Sequence, residues 1–415
     1  MQSNVTMRAT PHTNGLLLLF ALTFASVAPA CLRVDCHGTD ISCNPAAFLL
    51  YSAGACGLSR DQIIQPANAT AVLSELQLQA AAGVSGDPGA TDFDSGQAGV
   101  TKWAGGVLAP NGLIYAIPAG SDLVLAIDPA TNTVTTFASG HTGADKWAGG
   151  VLAPNGLIYG FPNTNDNVLV IDPNTNTATT FASGETGAKK WFGGVLAPNG
   201  LIYAIPEDNN QVLVIDPGTN TTTTFASPEA GAAKWRGGIL APNGLIYGIP
   251  SAGDNVLVID PNTNTATTFA SGQIGGVGGK WYGGVLAPNG LIYGIPATND
   301  KVLVIDPNTN TASLFASGAT GAAKWRGGAL APNGLIYGMP GFNDNVLVID
   351  PNANSATTFA SGRTGAVSKW RGGVFALNGL IYGLPEDQDN VLVIDPKSNG
   401  AWCNPLTTSG YWNQF

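Results

Sequence analysis

A tryptophan followed by one residue and two glycines recurs seven times, at Trp103, Trp147, Trp191, Trp235, Trp281, Trp325 and Trp370, with steps of 44, 44, 44, 46, 44 and 45 residues. One copy runs Trp147-Ala148-Gly149-Gly150-Val151-Leu152-Ala153-Pro154-Asn155-Gly156-Leu157-Ile158-Tyr159-Gly160-Phe161-Pro162, continues through Val168-Leu169-Val170-Ile171-Asp172-Pro173 and closes on Thr179-Thr180-Phe181. A phrase kept at that period is one supersecondary unit that cannot bury its apolar surface alone, so the copies must stack on one another.

Turn chemistry divides each unit. Ala-Pro-Asn-Gly puts proline where φ near −65° is wanted and Asn-Gly where left-handed φ is cheap, which predicts a hairpin. Ile-Asp-Pro-x-Thr-Asn predicts a second one. Between these breaks lie four segments of strand length, rich in β-branched residues. The middle two are apolar at successive positions, as expected when both faces of a sheet are covered. No stretch escapes Gly, Pro or Asn for long enough to form the two helices a helical repeat would need. The fold class is therefore all-β, a seven-bladed propeller of four-stranded blades.

Closure is also written in the chain. Phe93, in Thr91-Asp92-Phe93-Asp94-Ser95-Gly96, precedes Trp103 by the same ten residues that separate Phe137 from Trp147 and Phe181 from Trp191. The last repeat reaches Val391-Leu392-Val393-Ile394-Asp395-Pro396 without a Thr-Thr-Phe phrase. An N-terminal outer strand is expected to complete the last blade and remove the open edge; an outer strand from residues 400–404 is the alternative. Burying each tryptophan would take about 150–250 Å² from water, on the order of 4–6 kcal/mol gross, so the seven act as cement between blades rather than as ligand platforms.

The first 30 residues read as an address. Arg8 precedes an apolar run from Leu16 to Ala30 that is too short to span a bilayer and ends in Ala28-Pro29-Ala30, a small-x-small cleavage pattern. Cleavage leaves Cys31 first, the position that bacterial lipoproteins acylate, although Ala28 stands where a lipobox usually has leucine. Lipidation at Cys31 and ordinary secretion both remain open. Cys36, Cys43, Cys56 and Cys403 form an even set that allows two disulfides in any of three connectivities. The organisation expected is a signal peptide (1–30), a Cys-containing tether (31–90), the propeller (91–402) and a tail (403–415). The chain should be exported to the outer membrane or cell surface, or else be secreted or periplasmic.

The phrase Gly-Gly-Val-Leu-Ala-Pro-Asn-Gly-Leu-Ile-Tyr-Gly-Ile-Pro, with Val-Leu-Val-Ile-Asp-Pro, the leader, Cys31 and Ile41-Ser42-Cys43-Asn44-Pro45-Ala46-Ala47-Phe48-Leu49, resembles spirochaete surface lipoproteins that carry propeller repeats. That resemblance implies location and fold, not chemistry. More distantly, the repeats are similar to seven-bladed propellers of the streptogramin-lyase and YVTN surface-protein kinds; they lack the recurring Trp-Asp of WD40 blades.

Function classes narrow by composition. A net charge of −10 argues against a nucleic-acid partner. Of three histidines, His12 lies in the leader, His37 in the Cys-rich segment and only His141 within the blades, so no His-based triad or multi-His metal site is expected. No phosphate loop, Gly-x-Ser-x-Gly elbow or zinc spacing stands in the repeats, and neither a catalytic residue nor a cofactor is assigned.

The connections that vary most, after Ile-Pro and before Lys-Trp, fall at one end of the blade, and a ligand site is expected there. The residue after each tryptophan is Ala104, Ala148, Phe192, Arg236, Tyr282, Arg326 or Arg371. Phe192, Arg236, Tyr282, Arg326 and Arg371 could grip an anionic or aromatic group; the structural alternative pairs the arginines with loop carboxylates. On the ligand reading, replacing all three arginines with alanine should abolish binding and leave melting nearly unchanged. Asp122, Asp166, Asp254, Asp300, Asp344 and Asp389, with Asn210 in the remaining blade, suggest side chains capping their own turns. Glu386, Asp387 and Asp389 are the best local metal candidates. The lysine before each tryptophan, from Lys102 to Lys369, should pair with those aspartates.

The reading is a binding module for a small ligand, glycan or extracellular protein, touching the membrane only through a lipid anchor. An enzyme of lyase or lactonase type is the alternative, and a structural surface protein the third.

Overall fold

A computed structural model describes residues 87–275 and 278–397, which form 28 strands in seven four-stranded antiparallel sheets. The leader, residues 31–86 of the expected tether with Cys31, Cys36, Cys43 and Cys56, and the tail with Cys403 lie outside the described residues. In the first blade the strands are Trp103–Leu108, Ile114–Pro118, Leu123–Asp128 and Thr133–Ala138, hydrogen-bonded in that order. Tryptophan-bearing strands of neighbouring blades abut one another around the axis. The threonine-rich strands lie outermost and alternate exposed with half-buried residues, whereas the two middle strands are apolar on both faces and buried.

The seventh blade takes its outer strand from upstream of the first. Gly89–Asp94 runs antiparallel to Asn390–Asp395, with Gly89 opposite Asp395 and Asp94 opposite Asn390. The edge that residues 400–404 would have covered is thus already filled, and Ser95 N–H to the Asp389 carbonyl at 2.8 Å extends the pairing by one bond.

Each tryptophan is fully buried between two blades. Trp191 packs on Val151, Tyr159, Phe161, Val168 and Val170 of the preceding blade, and its indole N–H donates to the Gln211 carbonyl at 2.8 Å in its own. The donor is satisfied and the apolar body fills the interface, which is how a buried indole stabilises. The two glycines that follow serve different ends. After Trp191 the register of the innermost strand shifts before Gly194, and Gly193 sits in that bulge at φ 72°. Gly194 has no room for a side chain: a Cβ there would lie 2.5 Å from Phe161 Cζ.

The far end of every blade is stapled to its neighbour. Asn155 Nδ2 donates to the Tyr159 hydroxyl and to the Pro217 carbonyl, both at 2.9 Å, and the Tyr159 hydroxyl lies 2.8 Å from Asn220 Oδ1. The tyrosine reaches the next blade's proline carbonyl at all seven interfaces, including Tyr382 to Pro129 across the closure. This explains why the sequence hardly varies there, and it revises the role of the hairpin asparagine. Gly156 alone adopts left-handed φ, at 81°, while Asn155 is kept for its amide.

Candidate functional site

At the opposite, variable end, seven lysines from Lys102 to Lys369 lie almost fully buried beneath the loops. Lys146 Nζ donates to the carbonyls of Ala119, Ser121 and Gly143 and to Asp122 Oδ1, at 2.7–3.2 Å. Six such pairs join adjoining blades, one of which, Lys102 with Asp389 at 3.2 Å, closes the ring. Where Asn210 replaces the aspartate, Lys234 still holds three carbonyls. Burial lowers the pKa of Lys102, Lys146, Lys234 and Lys324, against the pull of nearby carboxylates.

The expected ion pairs are therefore present, but self-capping by the aspartates is not. The residue one position earlier caps instead: Asn165 Oδ1 accepts from Asn167 N–H and Asn299 Oδ1 from Lys301 N–H. Asp254 and Asp344 bond N–H groups 21 residues on, in the loop that leads to the next blade. A side chain two residues before a strand reaches its N–H, while the next one already faces the neighbouring loop.

The column after the tryptophans converges on the axis, and all five candidate residues meet there. Phe192 and Tyr282 touch edge to face across the ring, with centroids 5.1 Å apart. The Arg236 guanidinium lies over both rings at 5.4 and 5.1 Å, and Arg326 and Arg371 lie 5.4 and 5.6 Å from the Tyr282 ring. Ala104 and Ala148 leave room for these larger neighbours. The space remaining is about 10 Å³, enough for one water.

A second column reaches the same place. The residue after the recurrent proline is Ala119, Asn163, Glu207, Ser251, Ala297, Gly341 or Glu386. Glu207 Oε1 accepts from Arg236 Nε at 2.8 Å and Nη2 at 2.6 Å, and its Oε2 accepts from Asn163 Nδ2 at 3.0 Å. Glu386 Oε1 accepts from Arg326 Nη1 at 2.6 Å and from Arg371 Nη2. Three guanidiniums thus face two carboxylates, leaving one positive charge at the centre of an acidic protein. Burial opposes the charge on Arg371, but Glu386, Tyr282 and Asp145 together more than restore it, so its pKa lies above the ordinary arginine value. Burial raises the Tyr282 pKa despite three nearby arginines, which keeps the phenol protonated.

Glu207 and Asn163 were not singled out by sequence. The available signal was that the position after proline varies as much as the position after tryptophan. This pairing also removes the expectation that three Arg→Ala changes would leave melting untouched, because Glu207 and Glu386 would lose their partners while 3% and 2% exposed.

The remaining candidates are engaged elsewhere. Asp387 accepts from the N–H groups of Thr101 and Ser368, and Asp389 from Lys102, so with Glu386 turned to the arginines the three metal candidates point to separate partners. His141 Nε2 lies 3.1 Å from Thr180 Oγ1 and Nδ1 lies 3.2 Å from Asn165 Nδ2, with the ring edge-on to Trp147. Among the described residues, four of the five exposed large apolar side chains, Val100, Ile274, Phe342 and Val367, also lie in connections of the variable face.

A family model for a repeat of unknown function (DUF6923) matches residues 41–233, a little under half of the chain. Among solved structures, a streptogramin B lyase is similar with TM-score 0.63 and 12% identity, covering 74% of this chain and 97% of that one. A catalytically inactive virginiamycin B lyase from Staphylococcus aureus with quinupristin gives TM-score 0.64 and 12% identity, over 74% and 99%. Hydrazine synthase of Kuenenia stuttgartiensis gives TM-score 0.57 and 15% identity, over 72% and 96%. At these identities the likeness is one of fold. No curated protein matches the chain in sequence.

Proposed function

We propose that this chain is an exported, lipid-anchored propeller that binds a ligand or macromolecule at its variable face, with the axial cluster of Arg236, Arg326, Arg371, Phe192 and Tyr282 receiving an anionic group. The observation that supports this best is the convergence of two variable columns on one point, with a surplus guanidinium. Positions that serve only the ring are alike in every blade, as the Tyr159-type staples are; positions that vary from blade to blade answer to something else. The exposed apolar residues on the same face supply further contact area. Binding is favoured over lyase-type chemistry because His141, the single histidine among the described residues, has both ring nitrogens engaged by Asn165 and Thr180.

The reading is tested by screening the mature protein against arrays of glycans, extracellular proteins and small organic acids, then measuring the ligand found against a charge-matched pair, Arg236→Gln with Glu207→Gln. This pair removes one grip without stranding a buried charge, and affinity should fall at least tenfold. Unchanged affinity would remove Arg236 from the site, and the absence of any specific ligand would leave the structural reading in its place. Fatty-acid labelling of the wild type but not of Cys31→Ser supports the anchor; labelling of neither or of both rejects it.

A further inference from the structure

The two axial glutamates occupy equivalent repeat positions but are not equally satisfied. Glu207 uses both carboxylate oxygens, on Arg236 and Asn163. Glu386 offers one oxygen to two arginines, and among the described residues its Oε2 has no partner; nor does Nε of Arg326 or of Arg371. A carboxylate only 2% exposed with a bare oxygen, between guanidiniums with bare N–H groups, is a costly arrangement in a structural ion pair. The main chain of Glu386 is held at both ends, its N–H by the Lys369 carbonyl and its carbonyl by Lys102 N–H, each at 3.0 Å, so any movement belongs to the side chain. Arg326 and Arg371 retain 17% and 13% side-chain exposure, which leaves them reachable from the variable face. The space beside Arg326 and Arg371 admits no more than a water.

We propose that Glu386 is an internal occupant of a carboxylate site, and that a carboxylate carried by the ligand displaces it from Arg326 and Arg371. This deepens the binding reading and rests on it. Two guanidinium forks with spare N–H donors suit the planar, two-oxygen geometry of a carboxylate, which can accept from both at once. The internal glutamate sets a threshold: a ligand must offer the forks better geometry than Glu386 does, so weak anions are refused.

The test uses the full mature protein, with acetate and inorganic phosphate as probes, titrated by calorimetry. Glu386→Gln should bind acetate at least tenfold more tightly than the wild type, and adding Arg371→Gln should abolish the gain. Glu207→Gln raises the local charge equally without freeing the Arg326 and Arg371 forks, and should gain less than threefold. Equal acetate affinity in wild type and Glu386→Gln, or an equal gain from Glu207→Gln, overturns the displacement. Tighter binding of phosphate than of acetate overturns the carboxylate assignment. Glu386→Asp, which keeps the charge but shortens the reach, should show an intermediate gain and keeps the test open if Glu386→Gln does not fold; no gain there counts against the proposal. A ligand found on the arrays whose affinity ignores Glu386→Gln rejects the displacement and leaves the binding face standing.

Discussion

The clasp of the seventh blade can be loosened without touching the core, because its borrowed outer strand meets the sixth blade through an ion pair. Arg363 Nε and Nη2 each donate to one oxygen of Asp92 at 2.6 Å, and Asn390 Nδ2 adds a third bond at 2.6 Å. At the equivalent place between the first two blades His141 meets Thr180. Asp92→Thr therefore restores a residue that most blades already use while breaking the fork. Charge-assisted bonds to a buried carboxylate are worth about 1.5–3 kcal/mol, but the Arg363 side chain is 41% exposed and solvent screens it, so roughly 1–2 kcal/mol should be lost. For a ring of this size that corresponds to a fall in Tm of about 2–4 °C, read by calorimetry at pH 7. The pH dependence supplies the sharper check. The hydrogen bond from Arg363, with help from Asn390, holds the Asp92 pKa below its ordinary 3.8. The folded form thus binds fewer protons than the unfolded one near pH 3–4, and the clasp's contribution is complete above about pH 4 and lost as pH falls through the folded pKa. The difference between wild type and Asp92→Thr should be full at pH 7 and shrink toward pH 3. A Tm difference that is the same at both pH values, or absent at pH 7, would refute the reasoning.

Gly194→Ala would set a Cβ 2.5 Å from Phe161 Cζ and 2.6 Å from the Tyr203 carbonyl, and should cost about 1–3 kcal/mol in denaturant unfolding; a neutral result would mean the blades part more easily than their packing implies. Tyr203→Phe removes a hydroxyl 3.0 Å from the Pro261 carbonyl and 2.8 Å from Asn264 Oδ1, a loss of about 1–2 kcal/mol. Tyr382→Phe, the same change across the closure, should cost a similar amount, and a negligible effect there would mark the seventh interface as looser than the others.

The blade count, the four strands, the borrowed outer strand and the variable end were all legible because each rests on local chemistry repeated seven times. The ten-residue spacing from Phe93 to Trp103 already matched that from Phe137 to Trp147, and the pairing of Gly89–Asp94 with Asn390–Asp395 follows it. The convergence of Phe192, Arg236, Tyr282, Arg326 and Arg371 was legible for the same reason, since two adjacent glycines mark the crowded innermost strand. Their partners were not. Glu207 lies 29 residues before Arg236 in sequence, and Glu386 lies 60 residues after Arg326, so neither pair is visible until the blades are in place. The capping error has a similar origin. Asp254 and its neighbours recur at one spacing whether they serve their own turn or the next loop, and spacing alone does not separate the two.

The axial cluster also explains why no single repeat reveals the site. With seven large side chains the centre would be overfilled, and with seven alanines it would be an open channel. The chain instead places Ala104 and Ala148 in two consecutive blades and large residues in the other five, so that Phe192 and Tyr282 reach each other across the ring over Arg236. Glu207 of the third blade then answers Arg236 of the fourth, while Glu386 of the seventh serves its own Arg371 and Arg326 of the sixth. Each choice is intelligible only against its neighbours. A substitution such as Ala148→Arg would alter the packing of Phe192 and Tyr282 before it met any ligand, because these residues already touch. On the proposed binding reading, specificity is therefore a property of the ordered set of seven positions, and the anionic group would enter at the side of the axis where Arg326 and Arg371 share a single glutamate.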